Sequence, residues 1–159
     1  MRSNSSVINV YKKNNIKSEV VTQLLYGDTF KKIKKKGPWI KIKNDLDHYK
    51  GFIKNKKFPS NQKDTHKIYK LYANLYSKPS LKSKIRKKLS FGSKIKIIEK
   101  KNNFCKFDNL WIKKRDLKKI NYKTKNIFKN INQFKNIKYK WGGKHFSGVD
   151  CSGLVQLFF

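Results

Sequence analysis

The stretch Leu24-Leu25-Tyr26-Gly27-Asp28, continued by residues 29–33, Gly37-Pro38-Trp39-Ile40-Lys41-Ile42 and Gly51-Phe52-Ile53, decides the fold, because the chain writes it twice. The second copy runs through Leu89-Ser90-Phe91-Gly92-Ser93, residues 94–98, Phe104–Phe107 and Leu110-Trp111-Ile112. Gly27 and Gly92 are 65 residues apart, as are Trp39 and Phe104, so the copies share a register. In the first copy Trp39, Lys41 and Lys43 share one strand face and Ile40 and Ile42 the other, which predicts one wet face and one buried face. Strands this short, with a glycine ahead of the hairpin arms, are too small for a standard sandwich. They predict closed barrels of five or six strands in about 60 residues each. The barrels are expected at residues 5–58 and 65–120. The connector Phe58-Pro59-Ser60-Asn61-Gln62-Lys63-Asp64 between them is polar and proline-bearing, as a linker should be.

After Asn121 the period changes. Ile127, Phe128, Ile131 and Phe134 fall on one helical stripe, which predicts a helix over residues 123–136. A glycine-bearing loop, Trp141-Gly142-Gly143-Lys144-His145-Phe146-Ser147-Gly148, then precedes a second helix starting near Asp150. Asp150 is suited to cap that helix, which puts Cys151 in its first turn, where the positive end of the helix favours thiolate over thiol. A cysteine so placed is a nucleophile if a histidine arrives to hold the proton. It is equally a small residue opening a buried helix. Gly142, Gly143, Gly148 and Gly153 let backbone pass close to a substrate or to a packed neighbour.

Composition narrows the partners. The 159 residues are 37% hydrophobic and carry a formal net charge of +32, which points to an anionic surface or polymer. All of the 41 cationic side chains except Arg2, Arg86 and Arg115 are lysines, and Asn and Ile are also abundant. All three residue types have A/T-rich codons, so base composition is a sufficient cause of the excess. Lysine also reads base edges less well than the bidentate arginine fork, and no nucleic-acid partner is expected. No apolar run is long enough to span a bilayer. Asn4, Asn9, Lys12 and Lys13 interrupt any secretory h-region in residues 1–20, so the expected compartment is the cytoplasm; a start upstream of Met1 would make it periplasmic or extracellular. Cys105 and Cys151 are read as thiols, with Cys105 filling the second barrel's core. Trp39 and Trp111 are read as core aromatics. Asp47-His48 has no further metal-ligand partner at suitable spacing, so no metal and no cofactor are expected.

The pattern Tyr139-Lys140-Trp141-Gly142-Gly143, a short loop, then Asp150-Cys151-Ser152-Gly153-Leu154-Val155-Gln156 resembles the nucleophile motif of NlpC/P60 cysteine peptidases. These cleave peptidoglycan stem peptides by a papain-like Cys–His mechanism. Thr22-Gln23-Leu24-Leu25-Tyr26-Gly27-Asp28 with Asp47-His48-Tyr49-Lys50-Gly51-Phe52, then Thr65-His66-Lys67-Ile68, resembles the SH3 domains of the dipeptidyl-peptidase VI branch. The resemblance implies two small all-β SH3-like barrels followed by the N-terminal part of an α+β papain-like domain over residues 121–159. It implies hydrolysis of the γ-D-glutamyl to L-diamino acid bond (meso-diaminopimelate or lysine) in muropeptides with a free N-terminal L-Ala. Cys151 would be the nucleophile and Tyr139 a donor near the oxyanion. Asp150 and Ser152 would hold the substrate's ammonium, with Tyr49 from the first barrel completing that pocket. Lys138 stands where relatives often carry proline.

Members of that family place the catalytic histidine several tens of residues beyond the nucleophile. Here His48 and His66 fall at expected barrel turns and His145 in the glycine loop, all read as loop or surface residues. Leu154, Leu157 and Phe158 form an apolar helix face with no following strand to cover it. The expectation is therefore a C-terminally truncated chain that does not hydrolyse substrate. The alternative is a cationic SH3-like module that binds anionic cell-wall fragments, with an inert remnant of the catalytic domain.

Overall fold

Runs of β-branched and aromatic residues, cut by glycines and lysine-rich turns, make this chain mostly sheet. A computed structural model describes residues 1–124 and 126–158, and at Lys129 the backbone only. Strands β1 (Val7–Tyr11), β2 (Val20–Leu25), β3 (Phe30–Lys36), β4 (Trp39–Asn44) and β5 (Lys50–Lys54) form an antiparallel sheet in the order β2-β1-β5-β4-β3. The second repeat contains β6 (His66–Ile68), β7 (Tyr72–Tyr76), β8 (Ile85–Ser90), β9 (Lys94–Ile95), β10 (Glu99–Lys101), β11 (Phe104–Phe107), β12 (Leu110–Lys113) and β13 (Leu117–Lys119). Its main sheet has the order β8-β7-β12-β11-β10, and β6 lies between β13 and β9 in a three-stranded one.

The repeat extends to details. The β1–β2 register slips at Val10/Tyr11, and the β7–β8 register slips at Leu75/Tyr76, the same place 65 residues on. Tyr11 meets Trp39 edge-on at 5.7 Å, and Tyr76 meets Phe104 edge-on at 5.6 Å. Gly27 and Gly92 both have positive φ, 88° and 82°. One difference stands out. Past the Ile42–Gly51 pair the first repeat's hairpin continues through Lys43–Lys50 to a loop over residues 45–49, whereas Asp108 and Asn109 close the matching Phe107–Leu110 pair at once.

Val10, Leu24, Phe30, Ile40, Ile42 and Ile53 form the first core, each fully buried, and Phe58 closes it edge-on to Phe30 at 5.0 Å. Side chains of this size contribute about 1.5–3 kcal/mol each on burial. Cys105 is buried in the second repeat, and desolvation pushes its thiol pKa up. Trp39 and Trp111 are both buried. Trp39 is buried as read, although it shares a strand face with Lys41 and Lys43: Tyr11 covers it and the Lys54 ammonium sits 4.3 Å from the ring centre, so a cation–π contact shields the outer face.

The expected helix over 123–136 is shorter. Helix α1 spans Ile127–Ile131, and a 3-10 turn follows at Asn132–Phe134. The Asn130 amide donates to Tyr69 Oη, Thr124 Oγ1 and the Asn126 carbonyl, a set of local bonds that competes with a longer helix. Phe134 is buried edge-on to Phe91 at 5.6 Å, whereas Phe128, one position off the stripe's centre, is 80% exposed. One compact unit is 62–136, and the other joins 1–61 to 137–159. In the latter, β14 (Lys144–His145) pairs with β15 (Gly148–Val149), and α2 spans Cys151–Phe158. Among the described residues no helix is long and apolar enough to cross a membrane.

Candidate active site at the Cys151 turn

The segment before Cys151 is held by its own backbone. Tyr139 forms a parallel bridge with Val149, Lys140 N–H donates to the Val149 carbonyl at 3.0 Å, and Val149 N–H donates to the Lys138 carbonyl at 3.1 Å. Asp150 then ties loop to helix. Its Oδ1 accepts from Gly153 N–H at 2.6 Å and from Ser152 Oγ at 2.8 Å, while Oδ2 accepts from the buried Gly142 N–H at 2.7 Å. The N-cap expected at Asp150 is thus present, with a second bond across the loop. Gly142 has φ +67°, and a Cβ there would strike the Val20 carbonyl oxygen; at Gly153 it would strike the Gly143 carbonyl oxygen. Cys151 emerges exposed as the first residue of α2, and among the described residues no hydrogen bond reaches its Sγ.

The first repeat grips this loop. Gln23 Oε1 accepts from Lys144 N–H at 2.8 Å while Gln23 Nε2 donates to Asn9 Oδ1 at 2.8 Å. Lys144 Nζ lies 3.3 Å from Asp47 Oδ2, with 1% and 3% of the two side chains exposed. The same carboxylate accepts from Thr22 Oγ1 at 2.8 Å, Asn44 Nδ2 at 2.7 Å and Tyr49 N–H at 3.0 Å. That saturation is what makes a buried ion pair tolerable. Asp47 sits in the 45–49 loop, the part of the hairpin that the second repeat lacks. Trp141 Nε1 donates to Glu19 Oε1 at 3.0 Å; hydrogen bonds from Lys12 and then Trp141 hold the Glu19 carboxyl below its ordinary pKa.

Residues 5–58 match the bacterial SH3 domain family. A NlpC/P60 family protein from Bacillus cereus ATCC 10987 superposes with a TM-score of 0.77 at 19% identity, over 96% of this chain and 69% of that one. NlpC2 and NlpC1 of Trichomonas vaginalis align over 99% of this chain and 62% and 59% of theirs, at 17% and 18% identity, each with a TM-score of 0.32. No curated protein sequence matches the chain. At 19% identity the Bacillus likeness establishes the fold alone: an SH3-matched repeat in a chain folded like a NlpC/P60 protein.

Of the residues singled out by sequence, Asp150, Cys151 and Ser152 are brought together at the start of α2. Tyr139 is 67% exposed on the bridge to Val149, and Tyr49 is 44% exposed in the loop whose Asp47 takes Lys144. Neither tyrosine hydroxyl bonds to Cys151 among the described residues. His145 is buried rather than a surface residue. Its Nδ1 faces Ser147 Oγ at 2.8 Å and accepts from Ser147 N–H at 3.3 Å, while among the described residues Nε2 has no partner. Desolvation, reinforced by the Lys140 charge, lowers its pKa to about 4. His48 is exposed with φ 59°, whereas His66 lies on strand β6 rather than at a turn. Burial and then the charges of Lys100 and Lys119 lower the pKa of His66. Among the described residues no group of three or more His, Cys, Asp or Glu side chains could hold a metal.

Gln23 stands in the SH3-like stretch but its bond to the nucleophile loop had no sequence signal, and Lys144 is one lysine among many. Asp47 stands in the SH3-like stretch and was weighed as a metal ligand, but not as the partner of Lys144. Comparing hairpin lengths between the repeats would have pointed to it.

Proposed function

We propose that this chain is the nucleophile-bearing part of a cysteine peptidase acting on peptidoglycan stem peptides, built as two SH3-like barrels and the first part of a papain-like domain. The observation that supports it most is the exposed Cys151 Sγ at the head of α2, on a loop fixed by Asp150 and by the SH3-matched repeat.

On this reading the Cys151 sulfur attacks the carbonyl carbon of the γ-D-glutamyl bond, its proton passes to a base, and the amine of the diamino acid leaves with that proton. Water then hydrolyses the thioester. Tyr139 donates toward the developing oxyanion. The substrate's terminal ammonium uses Asp150, whose Oδ2 accepts one bond and retains a second lone pair, together with Ser152 and Tyr49. On this reading the base is not assigned to His145, which bonds to Ser147 rather than Cys151 and whose lowered pKa makes it a weak proton acceptor at neutral pH. Neither His48 nor His66 bonds to Cys151, so the reading requires a histidine outside these 159 residues and expects no turnover by them alone.

The test is labelling of the 159-residue chain by an electrophilic ketone built on L-Ala-γ-D-Glu, read by mass spectrometry. Cys151 should be labelled, and N-acetylation of the probe should slow labelling about tenfold, the worth of one lost charge-assisted hydrogen bond. Equal rates for the free and acetylated probes, or equal labelling of Cys105, would remove the substrate assignment.

A further inference from the structure

In the second repeat a cleft of about 620 Å³ opens between Leu81 and the run from Lys113 to Lys118, a size within the range of small-ligand sites. Its floor is apolar: Phe104 and Leu117 are 7% and 6% exposed. Lys113, Lys114, Arg115 and Lys118 ring it, and no carboxylate lines it. Asp116, which does not line the cleft, has its Oδ1 4.0 Å from Arg115 Nε; burial pushes its carboxyl pKa up, and the charges of Lys113, Arg115 and Lys70 act the other way.

Arg115 pairs with Asp116, while the three lysines are held in place by other contacts. Lys113 faces Phe104 across the β11–β12 register, with Nζ 5.7 Å from the Tyr76 ring. Lys114 N–H donates to the Asn103 carbonyl at 2.8 Å, which pins the turn, and Lys118 Nζ stands 4.9 Å from the Tyr122 ring. Among the described residues, none of these three lysines has an ion-pair partner. The first repeat makes the same backbone bond, Asn55 N–H to the Pro38 carbonyl at 2.8 Å, but there Asn55 and Pro59 stand where Lys114 and Lys118 stand in the second. Lys54 and Lys56 match Lys113 and Arg115, and Lys57 stands in place of Asp116, so the second repeat differs in where its cations sit, at Lys114 and Lys118, and not in their net charge.

We propose that this cleft binds a phosphodiester-linked polyol or sugar chain. Three of its four cations are lysines, point charges approaching from a strand end, a turn and the next strand. That arrangement suits a tetrahedral phosphate, which accepts on several sides, better than a planar carboxylate, which is best met by one arginine fork. The apolar floor takes the saturated segment between phosphates. A nucleic acid is disfavoured because no exposed aromatic ring lines the cleft for bases to stack on. The proposal is independent of the peptidase reading, since it involves neither Cys151 nor its loop.

The experiment is calorimetric titration of the full chain with a glycerol-phosphate oligomer, with oligothymidylate of equal phosphate number and with oligoglutamate. The glycerol-phosphate oligomer should bind the tightest. Replacing both Lys113 and Lys118 by Gln should weaken it by about tenfold or more, while the same change at Lys88 and Lys100, outside the cleft, should cost less than about twofold. On the unsubstituted protein, the oligomer should protect Lys113, Lys114 and Lys118 from acetylation ahead of Lys88 and Lys100. Equal losses from both double variants, unselective protection, or tighter binding of oligothymidylate or oligoglutamate would overturn the assignment.

Discussion

At Asp150 two carboxylate oxygens serve three donors, so one side chain sets both the loop and the first turn of the nucleophile's helix. Asp150→Ala removes an N-cap and strands the buried Gly142 N–H, which should lower unfolding stability by about 2–4 kcal/mol in urea titration. Asp150→Asn, which keeps one acceptor, should cost less; equal stability of wild type and the alanine variant would show that the loop does not depend on this cap. His145 supplies a pH signature. Its folded pKa of about 4 lies below the ordinary histidine value, so the unfolded chain binds the proton more tightly. Its contribution is fully present above about pH 6.5 and is lost as pH falls toward 4, amounting to at most about 3 kcal/mol. The difference between wild type and His145→Gln should shrink over that window and level off below it; a constant difference from pH 7 to 4 would refute the buried neutral imidazole. The thiols should also separate: native protein should take iodoacetamide at exposed Cys151, while Cys105, buried and with its pKa raised, should react only on unfolding.

At the scale of elements, the longer β4–β5 hairpin is the part of the first repeat that differs most from the second, and it is the part that reaches the nucleophile loop. Lys144→Met leaves Asp47 charged and buried, an expected loss of about 3–5 kcal/mol. Adding Asp47→Leu should recover part of it, because the two sites are in contact and their effects should not add. Additive losses would mean that Lys144 acts only through its packing. The strands were legible because a 65-residue spacing and alternation fix register without any tertiary knowledge, and the Asp150 cap was legible because it is local. Trp39 was legible as a core aromatic although it shares its strand face with Lys41 and Lys43, but what covers it was not, because alternation describes one strand and the cover comes from Tyr11 and Lys54 on two others. The helix over 123–136 was overdrawn because apolar spacing at Ile127, Ile131 and Phe134 does not register an asparagine whose amide bonds both to Thr124 and Asn126 nearby and to Tyr69 on another part of the chain. Lys144 escaped notice because nothing local distinguishes a buried lysine from a solvated one.

For the whole molecule the division of contacts runs across the order of the chain. Residues 62–136 are continuous and carry their own core, with Phe134 capping Phe91 and Gln133 Oε1 accepting from Leu71 N–H at 3.0 Å. The other unit is assembled from two pieces, 1–61 and 137–159, and its polar centre, from Asn9 and Gln23 to Lys144 and Asp47, draws on both. A continuous unit with mostly local strand pairings should fold without the rest of the chain. Residues 62–136 alone should therefore unfold in one cooperative thermal transition, and shortening them to 62–120 should lower its midpoint by removing Phe134. Residues 1–61 alone keep the core around Phe30 but lose the donors that Lys144 brings to Gln23 and Asp47. They should be less stable than in the full chain, and a peptide of residues 137–159 added in excess should raise their melting temperature in a concentration-dependent way. If that peptide has no effect, the Cys151 loop is held by its own backbone bonds, and the SH3-matched repeat is a neighbour of the nucleophile rather than a part of its support.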